Sequence, residues 1–194
     1  MKLCFVFLMF FSSLLATPCK IILIRHGETD WNVQKKSQGW KDIPLNEKGR
    51  LQAEDLRIKF SSLDLKTIYT SSLLRALETA EIIGKEQNSS IISDPAIRFY
   101  RKDKKKAPWY KTKKRKQLDV EIEIATDATT YFKQIAKNHP GETVLVVTHQ
   151  AVIRSLYKRM GQHLPKAKKV GNGRILHLLV SQDSLVVQGF DESL

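Results

Sequence analysis

Cysteine is nearly absent, with Cys4 and Cys19 the only two in 194 residues. That leaves no paired-cysteine spacing for a structural zinc site and no disulfide framework, so the fold must be held by core burial, for which a chain of this length is ample. No internal repeat appears, and no linker is long enough to divide the chain. Long apolar runs are also missing, apart from Leu3–Ala16. That stretch is uncharged, rich in Phe and Leu and preceded by Lys2. Its length suits the core of a secretory signal and is short for a membrane span. We read 1–16 as a signal peptide and 17–194 as one domain, which predicts an exported protein, periplasmic or secreted. An uncleaved segment anchoring the protein to the membrane is the alternative. Pro18, directly before Cys19, argues against lipoprotein processing. Cleavage after Ala16 leaves Cys19 as the only thiol.

Acidic residues are outnumbered, with 20 Asp and Glu against 33 Lys and Arg, a formal net charge of +13. Most of this excess lies in one stretch, about 98–116, with eleven Lys or Arg and a single Asp. Like charges at that density repel, and Pro108 interrupts the run, so a loop or frayed helix is expected. A basic loop overhanging a binding pocket would attract polyanions or an anionic membrane in a salt-dependent way; a solvated insertion is the plainer reading. Tyr100, Trp109 and Tyr110 could stack on bases or pin the loop to the domain. No nucleic-acid module accompanies the patch, and charge alone does not assign nucleic acid as a partner. Lys166, Lys168 and Lys169 form a smaller basic group.

The most informative segment is Lys20–Asn32. Ile21, Ile22, Leu23 and Ile24 form a β-branched run without alternation, which predicts a parallel strand covered on both faces. It stops on Arg25, His26 and Gly27. Ligands bind at the carboxyl ends of such strands. Arg25 offers a planar donor fork for an oxyanion, and Gly27 permits a sharp turn and close approach of a bound group. A second strand, Thr143–Thr148, runs into His149. A third, Thr67–Thr70, leads to Ser71 and Ser72, which can cap a helix carrying Arg75 in its first turn. Two histidines and two arginines at strand ends are hard to explain by packing alone, and together they suggest a phosphate site.

Helical spacing of Leu51, Leu56 and Phe60 predicts an amphipathic helix over Glu47–Phe60. Ile122, Ile124, Ala125, Ala128, Phe132 and Ile135 predict another over Glu121–Asn138, ended by His139-Pro140-Gly141. A further helix is expected over Gln150–Met160. Arg174–Val180 and Ser184–Phe190 read as a closing antiparallel hairpin. Alternation of this kind predicts an α/β fold, a three-layer α/β/α sandwich around a mostly parallel sheet. His139 and His163 fall at element ends and His177 inside a strand, which are structural positions.

With these blocks in place, the chain resembles the histidine phosphatase superfamily, the phosphoglycerate mutase-like proteins. The resemblance rests on L-I-R-H-G-E-T at 23–29, Asn32, Q-G-W-x-D-x-P-L from Gln38 to Leu45, Gly49, Gln52-Ala53, S-S-L-L-R-A-L-E-T-A at 71–80 and V-V-T-H at 146–149. It implies the phosphoglycerate mutase-like fold and a metal-independent reaction with no cofactor. It also implies that His26 forms a phosphohistidine while Arg25, Arg75 and His149 hold the phosphoryl oxygens, with Asn32, Gln38, Gly39 and Gln150 at the substrate. Transfer of a phosphoryl group depends on positioning and on pre-arranged positive donors, which Arg25, Arg75 and a protonated His149 could supply.

Two positions depart from the family. Where it places a glutamate as proton donor, this chain has Phe99. Asp103 and, more weakly, Glu28 are candidate replacements. Gln150 stands where most relatives have Gly or Asp. The resemblance therefore implies a phosphatase of phosphomonoesters or phosphohistidine, with two alternatives: a phosphate-binding member with little or no turnover, or a phosphoglycerate mutase. The partners it implies are a phosphorylated small molecule, a phosphoprotein or a phosphorylated envelope component.

Overall fold

The computed structural model of the chain describes residues 17–98, 117–159 and 170–191, the side chains of 117–123 excepted. The segment 1–16, the basic stretch beyond Arg98, Phe99, Asp103, His163 and the lysines at 166, 168 and 169 lie outside the described residues.

Six strands form one sheet: β1 (Cys19–Arg25), β2 (Thr67–Thr70), β3 (Ser90–Ser93), β4 (Thr143–Thr148), β5 (Ile175–Val180) and β6 (Leu185–Phe190). Their order is β3-β2-β4-β1-β5-β6. The first four in that order run parallel, whereas β5 is antiparallel to β1 and β6 closes the edge as a hairpin with β5. The helices are α1 (Asp30–Val33), α2 (Glu47–Lys59), α3 (Leu74–Gly84), α4 (Gln117–Asn138) and α5 (Gln150–Arg159), with a 3-10 turn at Pro95–Arg98.

The unbroken apolar runs of β1 and β4 divide by parity, because successive side chains leave a strand on opposite faces. Ile21, Leu23, Val144 and Val146 enter a core with Phe132 of α4 and Ile153 of α5. Ile22, Ile24, Leu145 and Val147 enter a second core with Leu56 of α2 and Ala76, Ala80 and Ile83 of α3. Two cores, one on each face, make the expected three-layer sandwich.

The sequence pattern misplaced one stripe. Leu51 is 61% exposed, and α2 buries Gly49, Ala53 and Leu56, with Phe60 just beyond its end. The reason is a close backbone approach at Gly49, described below, which sets the rotation of the helix. The long helix also begins at Gln117, earlier than the expected Glu121. No helix among the described residues is long and apolar enough to cross a membrane.

Candidate active site

Parallel pairing brings the two histidines together. The register sets Arg25 opposite Thr148, so the next residues, His26 and His149, leave neighbouring strands side by side. His26 N–H donates to Thr148 O at 3.0 Å, and the two imidazole centroids lie 5.3 Å apart. On the other side of β4, Thr70 is opposite Val147, which carries Ser71 to the same sheet edge. Ser71 Oγ is 2.9 Å from His149 Nε2.

His26 Nδ1 lies 2.8 Å from Gly27 O. A carbonyl can only accept, so Nδ1 carries the proton and Nε2 keeps its lone pair. Burial, then His149, Arg75 and Arg25, hold the His26 pKa well below the usual 6.5. The ring is therefore neutral at physiological pH, with a nucleophilic nitrogen on the side away from Gly27 O.

His149 corrects one expectation. Burial, followed by Arg75, Arg25 and Arg98, pushes its pKa well below 6.5 as well, so the resting side chain is neutral rather than a standing cation. An arriving phosphate dianion favours the charged form and opposes this shift. His149 Nδ1 is buried without a protein partner.

The arginines are held from two directions. Arg25 Nη1 donates to Val170 O at 2.5 Å, while its buried Nε has no protein acceptor. Burial and neighbouring Arg75 lower its pKa to about 10, which leaves it charged at neutral pH. Arg75 Nη1 and Nη2 donate to Lys41 O at 3.0 Å and Gly39 O at 3.1 Å. Gly39 adopts φ +51, a conformation that favours glycine, and so turns its carbonyl loop toward α3. The serine cap expected for α3 does not form. Its N-cap is Leu73, Ser71 faces His149, and Asp42 accepts from Leu74 N–H at 2.9 Å from the preceding loop. Asp42, Gly39 and Lys41 thus fix both the helix start and the guanidinium it carries.

Gly27 and Gly49 explain the crossing of the β1 loop over α2. A Cβ on Gly27 would stand 2.5 Å from Gly49 O, and one on Gly49 would stand 2.0 Å from Glu28 O. At Gly27 the space a side chain would take is filled by the backbone of Gly49. Thr79 Oγ1 accepts from Gly27 N–H at 3.0 Å and donates to Arg75 O at 2.7 Å, joining the loop after β1 to α3.

Asn32 is drawn into the supporting network. Its Oδ1 accepts from Thr29 in the α1 cap and from Asn172 Nδ2 at 3.1 Å. Asn172 also donates to His26 O at 3.0 Å and to Gly27 O at 2.9 Å, the carbonyl that orients the His26 ring. Gln38 has a buried Oε1 without a partner, and Gln150 opens α5 beside His149. Glu28 is engaged by Asn46 Nδ2 at 3.2 Å and Lys48 Nζ at 3.6 Å. His139 bonds Tyr69 and Glu142, and His177 lies 4.0 Å from Asp191, whereas His26 and His149 bond neither. Among the described residues, no group of three or more His, Cys, Asp or Glu is placed to hold a metal ion.

Asn172, Thr79 and the pairing of Ser71 with His149 escaped sequence reasoning. Asn172 lies between Gly171 and Gly173, a pattern that signals only a turn, and it meets His26 across 146 residues of chain.

The fold and site together define an α/β protein with a buried histidine and arginine pocket at the carboxyl edge of its parallel strands. The model of the histidine phosphatase superfamily (branch 1) matches residues 21–101 and 102–192, and the chain belongs to that family. It is 34% identical over 174 residues to phosphoglycerate mutase-like protein 4 of Arabidopsis thaliana, covering 79% of this chain and 76% of that protein. It is 32% identical over 164 residues to the metal-independent phosphoserine phosphatase of the same plant, covering 74% and 69%. The solved structure of YhfR from Bacillus stearothermophilus superposes with a TM-score of 0.69 at 30% identity, covering 88% of this chain and 96% of that one.

Proposed function

We propose that the protein is a metal-independent phosphatase working through a phosphohistidine on His26. The observation that carries this reading is the His26 ring, whose Nδ1 is tied to Gly27 O while it lies buried among Arg25, Arg75 and His149. Nε2 attacks phosphorus, an N–P bond forms, and the bond from phosphorus to the leaving group breaks, at oxygen in a phosphate ester and at the ring nitrogen in phosphohistidine. Arg25 and Arg75 stabilise the oxygens whose charge develops during transfer. Water then attacks the phosphohistidine, releasing inorganic phosphate and restoring the neutral ring. Ser71 holds His149 in position beside the phosphoryl group.

Acid assistance contributes about 10²- to 10⁴-fold to departure of an alkoxide. Phe99 cannot provide it, and Glu28 is engaged by Asn46 and Lys48. The preferred substrates are therefore those whose leaving group needs little protonation, such as phosphohistidine or an aryl phosphate. Phosphate release from p-nitrophenyl phosphate, phosphohistidine and an alkyl phosphate, by the parent and by His26→Ala, tests this. The two good leaving groups should be hydrolysed and the His26→Ala rate should fall about 10³-fold or more. Equal rates for the alkyl ester would call for an acid such as Asp103. Silence on every substrate would favour a phosphate-binding protein.

We further propose export, on the strength of the uncharged Leu3–Ala16 stretch. Fractionation of cells expressing the full chain, with the mature N-terminus sequenced, tests this. An intact N-terminus retained in the cytoplasm would contradict it. The accompanying ligand proposal is a phosphorylated small molecule, phosphoprotein or envelope component.

A further inference from the structure

Arg98 has no role in the reaction above, yet the fold places it at the pocket. It ends the 3-10 turn, and Thr148 Oγ1 donates to Ile97 O at 3.1 Å, so the turn is fastened to the residue preceding His149. The Arg98 guanidinium carbon stands 5.5 Å from the Trp40 ring, and its Nε donates to Pro95 O at 3.2 Å. Trp40 lies between Gly39 and Lys41, whose carbonyls hold Arg75. The turn that carries Arg98 is thus fastened to the strand end of His149, and its guanidinium packs on the loop that fixes Arg75. Its charge reaches the His149 ring. An aromatic face beneath a guanidinium attracts it and restrains a long side chain that would otherwise lose conformational freedom on binding.

Charge counting gives this cation a use. A transferred phosphoryl group brings two negative charges, which Arg25 and Arg75 match. Arg98 is a third positive charge, and among the described residues no carboxylate lies within ion-pair distance of it. A guanidinium fork is suited to a planar or tetrahedral oxyanion. We propose that Arg98, braced by Trp40, is a subsite for a second oxyanion on the phosphorylated ligand, a carboxylate or a further phosphate. The subsite selects ligands that carry an acidic group besides the phosphoryl group.

This inference rests on the phosphoryl pocket and is tested with ligands that cannot be turned over. Propylphosphonate, 3-phosphonopropionate and 1,3-propanediphosphonate compete with p-nitrophenyl phosphate, and the ratio of inhibition constants within each variant is the readout, so any general loss of activity cancels. In the parent, at least one of the two acid-tailed compounds should bind about tenfold more tightly than propylphosphonate, as one charge-assisted contact at a partly exposed site allows. Which of the two binds better distinguishes carboxylate from phosphate. Arg98→Ala should bring the ratio close to one, and Arg98→Lys should keep part of it. Trp40→Leu should reduce the preference while Trp40→Phe preserves it. A ratio near one in the parent, or one unchanged in Arg98→Ala, overturns the subsite. If p-nitrophenyl phosphate is not hydrolysed, the phosphatase reading fails instead, and the same ratios are measured by calorimetry.

Discussion

A histidine attacks phosphorus through a nitrogen without a proton, and its neighbours decide which nitrogen that is. At His26 the carbonyl of Gly27 makes the choice, and Asn172 holds that carbonyl from behind. At His149 the neighbour is Ser71, whose Oγ lies 2.9 Å from Nε2 and also accepts from Leu73 N–H at 3.3 Å. Ser71→Ala should leave the fold intact and lower kcat about 10- to 100-fold, the loss of one buried hydrogen bond to a reacting group. KM should change less, and the acid limb of the kcat profile should move. Steady-state kinetics over pH check this, and an unaltered profile would remove Ser71 from the account. His26, Arg25, Arg75 and His149 were legible because each stands at the end of a recognisable strand or at a helix start. Ser71 as a partner of His149, and Asn172 as a partner of His26, were not. Their contacts follow from strand register and loop closure, which no local pattern records.

Elements meet here through glycine. The β1 loop can cross the start of α2 only because neither Gly27 nor Gly49 has a side chain. Gly49→Ala places a methyl 2.0 Å from Glu28 O, a backbone atom that cannot move alone. We expect a loss of at least about 2 kcal/mol and a fall in Tm of roughly 4–8 °C, measured by calorimetry. Gly171→Ala, where a Cβ meets nothing within 4 Å, should stay within about 0.5 kcal/mol of the parent. The same crossing explains why apolar spacing misjudged α2. Leu51 has the right period, but backbone contact at Gly49 sets the helix rotation and turns Leu51 to solvent. The strands were read more accurately, since a β-branched run covered on both faces leaves little choice of environment. The helix α3 shows a further limit, because its cap comes from Asp42 across a loop, while the adjacent serine serves the site.

For the whole molecule, the buried histidines make stability depend on pH in a predictable direction. His26 and His149 have folded pKa values below the unfolded 6.5, and partly buried His177 is shifted the same way by burial and Lys20. As pH falls through 6.5 the unfolded chain takes up protons that the folded chain refuses. Stability is thus complete above that value and declines toward lower pH. Urea unfolding at intervals between pH 7 and about 5, above most carboxylate titrations, should show falling stability. The His26→Gln, His149→Gln double variant should flatten most of the slope. A parent with constant or rising stability across this window would contradict the burial of neutral histidines. Catalysis should hold up better than stability there, because the nucleophile stays unprotonated well below 6.5.

The most direct test of the central claim is to trap the covalent intermediate. The purified protein is mixed rapidly with p-nitrophenyl phosphate, quenched in alkali and analysed by intact mass and peptide mapping. The account predicts one added phosphoryl group on His26, stable to alkali and labile to acid, and absent from His26→Ala. Sustained phosphate release with no adduct on His26, or with His26→Ala as active as the parent, would contradict it.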